Sequence, residues 1–165
     1  MAIGFNADEV FEMAIRIESN GAAFYRKAAS LQPDAKNREF LQGLAAMEDK
    51  HQEIFTEMRK TLTEKDKSGT VFDPQGEVGL YLSSMADNLG GEGSPSAADA
   101  LTGKETLEDI LNTALGLEKD SILFYLGIKD IVPQKHGQDK IDGIINEERK
   151  HVAQLTGILN KIKTG

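Results

Sequence analysis

Two copies of one acidic pattern recur in the chain, and their residue types are those that bind metal ions in proteins. In the first copy, Glu18 is followed 30 residues later by Glu48, with His51 three residues further on. The second copy lies 100 residues downstream and consists of Glu118, Glu148 and His151. Because residues three apart share a helix face, each Glu-x-x-His segment can direct a carboxylate and an imidazole at one ion.

Four carboxylates and two imidazoles together predict a buried site for two divalent cations. A carboxylate buried without a counter-charge costs several kcal/mol, and neighbouring carboxylates raise one another's pKa. Two divalent ions would balance the charge of the four glutamates. Nitrogen and oxygen ligands suit iron or manganese, with zinc as an alternative. Glu48 and Glu148 are the predicted bridging ligands, and Glu18 and Glu118 the terminal ones.

Four further residues lie on the faces that carry the glutamates. Tyr25 and Tyr125 each follow the first glutamate of their half by seven residues, two helical turns along the same face. Each tyrosine either packs in the core or acts as a catalytic residue, whose hydroxyl orients a ligand carboxylate or loses an electron. Gly21 and Ser121 are small residues that either leave room for dioxygen or peroxide, or permit close helix packing.

Other polar residues near the pattern are interpreted as peripheral to the chemistry. Lys50 and Lys150 lie inside the Glu-x-x-His segments but point sideways from the shared face. Glu53 and Glu147 adjoin the ligand faces without belonging to them. His136 falls in the second turn, where we expect it to be solvated.

The pattern requires helices, and four segments carry apolar residues at helical period. Their apolar faces run from Val10 to Ala28, Phe40 to Met58, Leu107 to Ile128 and Ile141 to Ile162. Segments of about 22 to 28 residues are usual in helical bundles. Pro33 and Pro133 lie midway between the glutamates of their halves, which predicts a turn at each proline and two antiparallel helical hairpins.

Residues 65–103 differ in composition, with several glycine and proline turn signals. We predict a long crossover connection here, containing a short helix from Glu77 to Asn88, and a capping box at Thr102 and Glu105 that opens the third long helix. The predicted fold is an all-α four-helix bundle of two hairpins in one domain, 1–165. The connection caps the bundle, forms an oligomer interface around Tyr81 and Met85, or stays mobile.

Composition narrows the class of protein. The chain has 165 residues and no cysteine, which excludes disulfides, thiolate metal sites and cysteine nucleophiles. A net charge of −8 argues against nucleic acid as a partner. The sequence shows no signal peptide and no apolar run that could span a membrane, so we expect a cytoplasmic protein with no membrane partner.

With Glu18, Glu48-x-x-His51, Glu118, Glu148-x-x-His151 and the two tyrosines, the chain resembles the ferritin-like di-iron superfamily, most closely its rubrerythrin branch. The resemblance covers the four long helices. It implies a non-haem di-iron site that reacts with dioxygen or hydrogen peroxide, in a protein of the oxidative-stress defence. We expect a homo-oligomer, with a dimer favoured.

The chain departs from rubrerythrins in ways that affect this expectation. Rubrerythrins usually carry a cysteine-ligated rubredoxin domain, and this chain has no cysteine, so its electron donor would be external, such as a separate rubredoxin or reductase. Rubrerythrins have an additional glutamate where this chain has Ser121, and a glutamate in place of His151. The symmetric set with two histidines is similar to that of bacterioferritin, although Asp49 occupies the place of its haem-ligating methionine.

Three functions fit this sequence. The first is an oxidoreductase that reduces hydrogen peroxide or dioxygen with electrons from an external donor. The second is a ferroxidase in an iron storage or detoxification assembly. The third is a structural or sensory metalloprotein, in which tightly bound zinc or a redox-silent metal pair stabilises the bundle.

Overall fold

The regular structure of the described residues is entirely helical. The computed structural model describes residues 6–68, 77–88, 96–130, 132 and 134–165. Pro133 and parts of the 65–103 connection lie outside these ranges. The helices are α1 (Ala7–Ser30), α2 (Ala35–Lys60), α3 (Glu64–Ser68), α4 (Glu77–Asn88), α5 (Ala97–Ala100), α6 (Leu107–Lys129) and α7 (Gln138–Thr164), with a 3-10 turn at Gln134–His136.

Side-chain caps mark the start of α1 and α2, whereas α7 begins after a glycine without such a cap. At the start of α1, Asn6 accepts a hydrogen bond from the backbone N–H of Glu9 at 2.9 Å, and the Glu9 carboxylate accepts one from the Asn6 N–H at 3.0 Å. The Asp34 carboxylate caps α2. Before α7, Gly137 has φ of 104°, a left-handed conformation that favours glycine.

The four long helices form two hairpins that pack side by side. Helix α1 packs along α2, and α6 packs along α7, while contacts of α1 with α6 and of α2 with α7 join the hairpins. In the crossover, α4 packs on α6 and α5 on α1. The prediction of an all-α bundle of two helical hairpins is confirmed, and the short helix Glu77–Asn88 is found at its predicted bounds.

Two apolar clusters fill the bundle, one on each side of its middle. The first includes Phe11, Phe55, Phe124 and Ile144, and the second includes Phe24, Leu41, Ile110 and Leu155. All eight of these residues are buried. Each long helix contributes residues to both clusters. The helical turns that lie between the two clusters are therefore the central turns of each long helix.

The predicted start of the third long helix was wrong. Helix α6 is capped by Thr106 and Asp109, four residues after the predicted box. The Glu105 carboxylate does accept a hydrogen bond from the Thr102 N–H, at 2.7 Å. Gly103, however, has φ of +86°, which is incompatible with a helix beginning at Thr102.

Ile162 and Tyr81 are two large apolar residues of the helices that lie exposed at the surface. Ile162, on the last predicted face, is 38% exposed because it lies beyond Leu159, the last buried residue of α7. Tyr81 on α4 is also exposed, and its hydroxyl donates to the carbonyl oxygen of Leu123 on α6 at 2.8 Å.

No helix among the described residues has the length and apolar composition needed to cross a bilayer.

Candidate metal centre

A single polar layer separates the two apolar clusters, and it is made of the residues that the sequence pattern selected. All of them are buried, with exposures between 0% and 6%: Glu18, Glu48, His51, Glu118, Glu148 and His151. The layer forms because each helix places one glutamate, or one Glu-x-x-His pair, at its central turns, where apolar residues precede and follow on the same face.

The six side chains form two overlapping groups of ligand atoms. The first group is Glu18, Glu48, His51 and Glu148, and the second is Glu48, Glu118, Glu148 and His151. Within each group the candidate ligand atoms lie within 4.8 Å of one another. Glu48 and Glu148 belong to both groups, which is the position that bridging carboxylates occupy between two ions.

Both histidines turn the Nδ1 atom toward the carboxylates. Nδ1 of His51 lies 2.9 Å from Oε1 of Glu148 and 3.4 Å from Oε2 of Glu18. Nδ1 of His151 lies 2.9 Å from Oε2 of Glu148 and 3.4 Å from Oε1 of Glu118. Glu148 therefore stands between the two imidazoles, whose ring centres are 6.1 Å apart.

The two tyrosines hydrogen-bond the terminal glutamates, and each bond crosses from one hairpin to the other. Tyr25 on α1 donates to Oε1 of Glu118 on α6, and Tyr125 on α6 donates to Oε1 of Glu18 on α1. Both rings also belong to the apolar clusters. Each tyrosine therefore packs in the core and also donates a hydrogen bond to a carboxylate of the cluster.

Burial and mutual repulsion shift the pKa values of the carboxylates. Burial raises the pKa of Glu118 to about 8, with Glu148 adding to the shift and His151 opposing it. Burial, Glu18 and Glu148 also raise the pKa of Glu48 well above its usual range. Glu148 differs: burial would raise its pKa, but the adjacent imidazoles of His151 and His51 lower it to about 2.

The pKa values of the histidines move with those of the carboxylates. Burial alone would lower the pKa of His51, but Glu148 and Glu18 raise it to about 11. Glu118 and Glu148 likewise outweigh burial and raise the pKa of His151 to about 9. The metal-free cluster therefore offsets its negative charge with protons, in the place where cations would offset it in a loaded site.

Several buried atoms of the cluster face one another without forming hydrogen bonds. They are Oε2 of Glu18, Oε1 of Glu48, both carboxylate oxygens of Glu148, and Nδ1 of His51 and His151. A buried polar group without a hydrogen bond costs about 1–3 kcal/mol. These six atoms belong to the two groups of candidate ligands. A cation in each group would accept their lone pairs, so the residues present fit a pair of metal ions.

A small cavity adjoins the cluster on its α1–α6 side. Its volume is about 20 Å³, and its lining includes Gly21, Tyr25, Glu48, Glu118 and Ser121. A Cβ atom at Gly21 would lie 3.2 Å from Oε2 of Glu48, tighter than most contacts of this kind. Gly21 therefore allows both the cavity and the close approach of Glu48.

Two residues interpreted as peripheral have definite partners. Oε2 of Glu147 lies 2.7 Å from Nε2 of His51, so the carboxylate accepts a hydrogen bond from a ring that faces the cluster. The prediction that His136 is solvated was wrong: it is 6% exposed and lies 2.9 Å from Oδ2 of Asp66. Lys50, Glu53 and Lys150 are exposed, as their off-face positions predicted.

Comparisons with known proteins place the fold. No protein-family model matches the sequence, and no curated protein matches it. The structure is similar to a crystal structure of a candidate ferritin-like diiron-carboxylate protein from Thermotoga maritima, with a TM-score of 0.70 and 22% sequence identity. The similarity covers 95% of this chain and 96% of that chain. The chain thus has the fold of a ferritin-like protein.

Proposed function

We propose that this chain is a non-haem di-iron oxidoreductase of rubrerythrin-like type, which reduces hydrogen peroxide or dioxygen with electrons from an external donor. The observation that carries the proposal is the pair of overlapping buried groups that share Glu48 and Glu148. Such a set would hold two metal ions, iron by our proposal and manganese or zinc by substitution. A ferrous pair supplies two electrons, enough to reduce one peroxide to two waters with two protons.

The protein's own residues would hold the metal ions in a buried site and would fix the orientation of the ligands. Glu18 and Glu118 would bind as terminal ligands, with their orientation set by Tyr125 and Tyr25. The buried tyrosines keep their protons, because burial and the neighbouring carboxylates raise their pKa well above the ordinary value of 10.0. The phenol groups are thus placed as hydrogen-bond donors beside the cavity and the cluster.

The size of the cavity favours a very small oxidant. A volume of about 20 Å³ accommodates a molecule of about the size of water, whereas sites for organic substrates usually measure about 300 Å³ or more. The cavity borders two predicted ligands, Glu48 and Glu118. Dioxygen or peroxide therefore suits this cavity better than an organic substrate does.

The electron donor and the assembly follow from composition and resemblance. The chain has no cysteine with which to hold an iron–sulfur or rubredoxin centre, so electrons would come from a separate rubredoxin or a reductase. We further propose a cytoplasmic homodimer that acts in the oxidative-stress defence, without a nucleic-acid or membrane partner.

One observation favours a ferroxidase as the second candidate. A groove of about 530 Å³ between α2 and α7 reaches the cluster at His151, and its charged lining residues are Lys36, Glu39, Glu147 and Lys150. The lysines balance the two carboxylates, so what favours this candidate is the open route from the surface to a predicted ligand. The groove would thus serve ferrous ions as substrate, in an iron storage or detoxification protein.

Anaerobic loading with ferrous ion, followed by stopped-flow mixing with peroxide or with air, tests the proposal. We expect two irons per chain, with ferric formation faster with peroxide than with air. Oxidation in air that continues well beyond two irons per chain would instead support the ferroxidase. Glu48→Ala is expected to abolish loading, whereas Glu53→Ala, which removes an exposed carboxylate of the same helix, serves as the control.

A further inference from the structure

The two halves of the cluster differ at the residue that precedes the second glutamate. In the second half this residue is Glu147, and at the corresponding place in the first half it is Met47. All six predicted ligands recur at the same positions in both halves. The pair Met47 and Glu147 therefore makes the surroundings of the two histidines different. It places a carboxylate beside one histidine and a thioether beside the other.

The carboxylate of Glu147 contacts the ring nitrogen of His51 that faces away from the cluster. Nε2 of the ring lies 2.7 Å from Oε2 of Glu147, while Nδ1 on the opposite edge faces Glu148 and Glu18. A carboxylate that accepts the Nε2–H proton fixes the tautomer in which Nδ1 carries the lone pair. It also fixes the plane of the ring. Because Glu147 is on α7 and His51 on α2, the bond also ties the two hairpins together at the site.

His151 lacks such a partner among the described residues. Its Nδ1 faces Glu148 and Glu118, but the outer edge of the ring lines the open groove together with Met47. A thioether sulfur is at best a weak acceptor. The side chain of His151 is 6% exposed, against 0% for His51. Glu147 is one turn before His151 on α7, yet its carboxylate is directed to His51.

We propose that Glu147 is a positioning residue that makes the two metal positions unequal. The position built on Glu18 and His51 binds its ion more tightly than the position built on Glu118 and His151. This inference rests on the di-metal site proposed above. Hydrogen-bond partners that orient a ligand histidine typically change metal affinity by about 10- to 100-fold. Metal therefore binds in two steps, with the His51 position filled first.

Titration of the metal-free protein with cobalt(II), followed by visible absorption and calorimetry, tests this inference. The wild type is expected to bind two ions with affinities separated by about 10- to 100-fold. Glu147→Met gives the second half the residue of the first, and it is expected to weaken the first step by a similar factor. Glu53→Met removes the same charge from an exposed position that does not contact a ligand, and should leave both steps unchanged.

The reciprocal variant tests the same idea in the opposite direction. Met47→Glu supplies a carboxylate beside His151, so the weaker step should strengthen by about tenfold or more. This variant decides the question if Glu147→Met fails to fold. Affinities that are unchanged in whichever of the two variants folds, with two ions still bound, would overturn the role of Glu147. A wild type that binds no pair of ions would instead overturn the proposed function itself.

Discussion

At the scale of single residues, the crossed tyrosine bonds are the contacts with the clearest expected effect. Tyr125→Phe removes the hydroxyl that donates to Glu18, and leaves the ring in its apolar cluster. We expect the fold to persist and metal affinity to fall by about tenfold or more, since Glu18 loses the group that orients it. Calorimetric titration with manganese(II) measures the change.

Tyr81→Phe is the matched control for this prediction. It removes a hydroxyl that bonds the backbone oxygen of Leu123, away from the cluster. Equal metal affinities in Tyr81→Phe and Tyr125→Phe would show that the hydroxyl of Tyr125 does not orient the ligand.

The residues of the cluster differ in how far sequence could predict them. Spacing identified the six predicted ligands, because positions three apart on a helix share a face whatever the tertiary structure. It could not show that Tyr25 bonds Glu118, since the choice of partner depends on how α1 packs against α6. Glu147 was missed for the same reason. Its departure from the repeat, where the first half has Met47, was the available signal.

At the scale of elements, a polar contact fastens the turn of the second hairpin to α3. His136 lies 2.9 Å from Oδ2 of Asp66, and Lys135 lies 3.2 Å from Oδ1 of the same carboxylate. Asp66 in turn accepts hydrogen bonds from the hydroxyl and the N–H of Thr63. The turn and the start of the crossover are therefore linked through one side chain.

Removing His136 is expected to loosen this link without affecting metal binding. His136→Ala should lower the free energy of unfolding by about 1–3 kcal/mol, because the buried ring that contacts the Asp66 carboxylate is lost. Urea unfolding measures the stability, and metal analysis should still find two ions per chain. Loss of metal, with stability retained, would mean that His136 belongs to the metal site. It would also mean that the contact between His136 and Asp66 does not stabilise the fold.

The long helices could be predicted closely, and their boundaries less so. Apolar periodicity identified all four, because each buries one face over more than twenty residues. The capping box predicted at Thr102 and the cap observed at Thr106 both precede α6. Only the backbone of Gly103, with its positive φ, decides between them. The sequence shows which residues can cap a helix, but the path of the chain before the helix selects the cap that is used.

At the scale of the whole molecule, the fold and the charge of its centre are coupled. The internal repeat predicted that the glutamates of the two hairpins meet at one height, and the structure brings them together in one buried layer. The cost of that arrangement depends on what neutralises the four glutamates. Stability of the whole chain should therefore depend on both pH and metal.

The metal-free protein is expected to lose stability as the pH rises above about 4.5. The pKa values of His51 and His151 rise from 6.5 to about 11 and about 9, and that of Glu118 rises from 4.5 to about 8. In each case the folded state binds protons more tightly than the unfolded state, so the free energy of unfolding falls as pH rises between the two values. Glu148, with its pKa lowered to about 2, causes loss of stability only as the pH falls below 4.5.

Metal should reverse this dependence, because ions replace the protons that the cluster binds. Proton competition decreases as the pH rises, so the stabilisation by two equivalents of manganese(II) should grow from about pH 6 to about pH 8. Thermal unfolding followed by circular dichroism, with chelator and with metal, measures both slopes. A metal-free protein whose melting temperature rises over this range would mean that the buried glutamates are neutralised by something other than the protons of His51, His151 and Glu118.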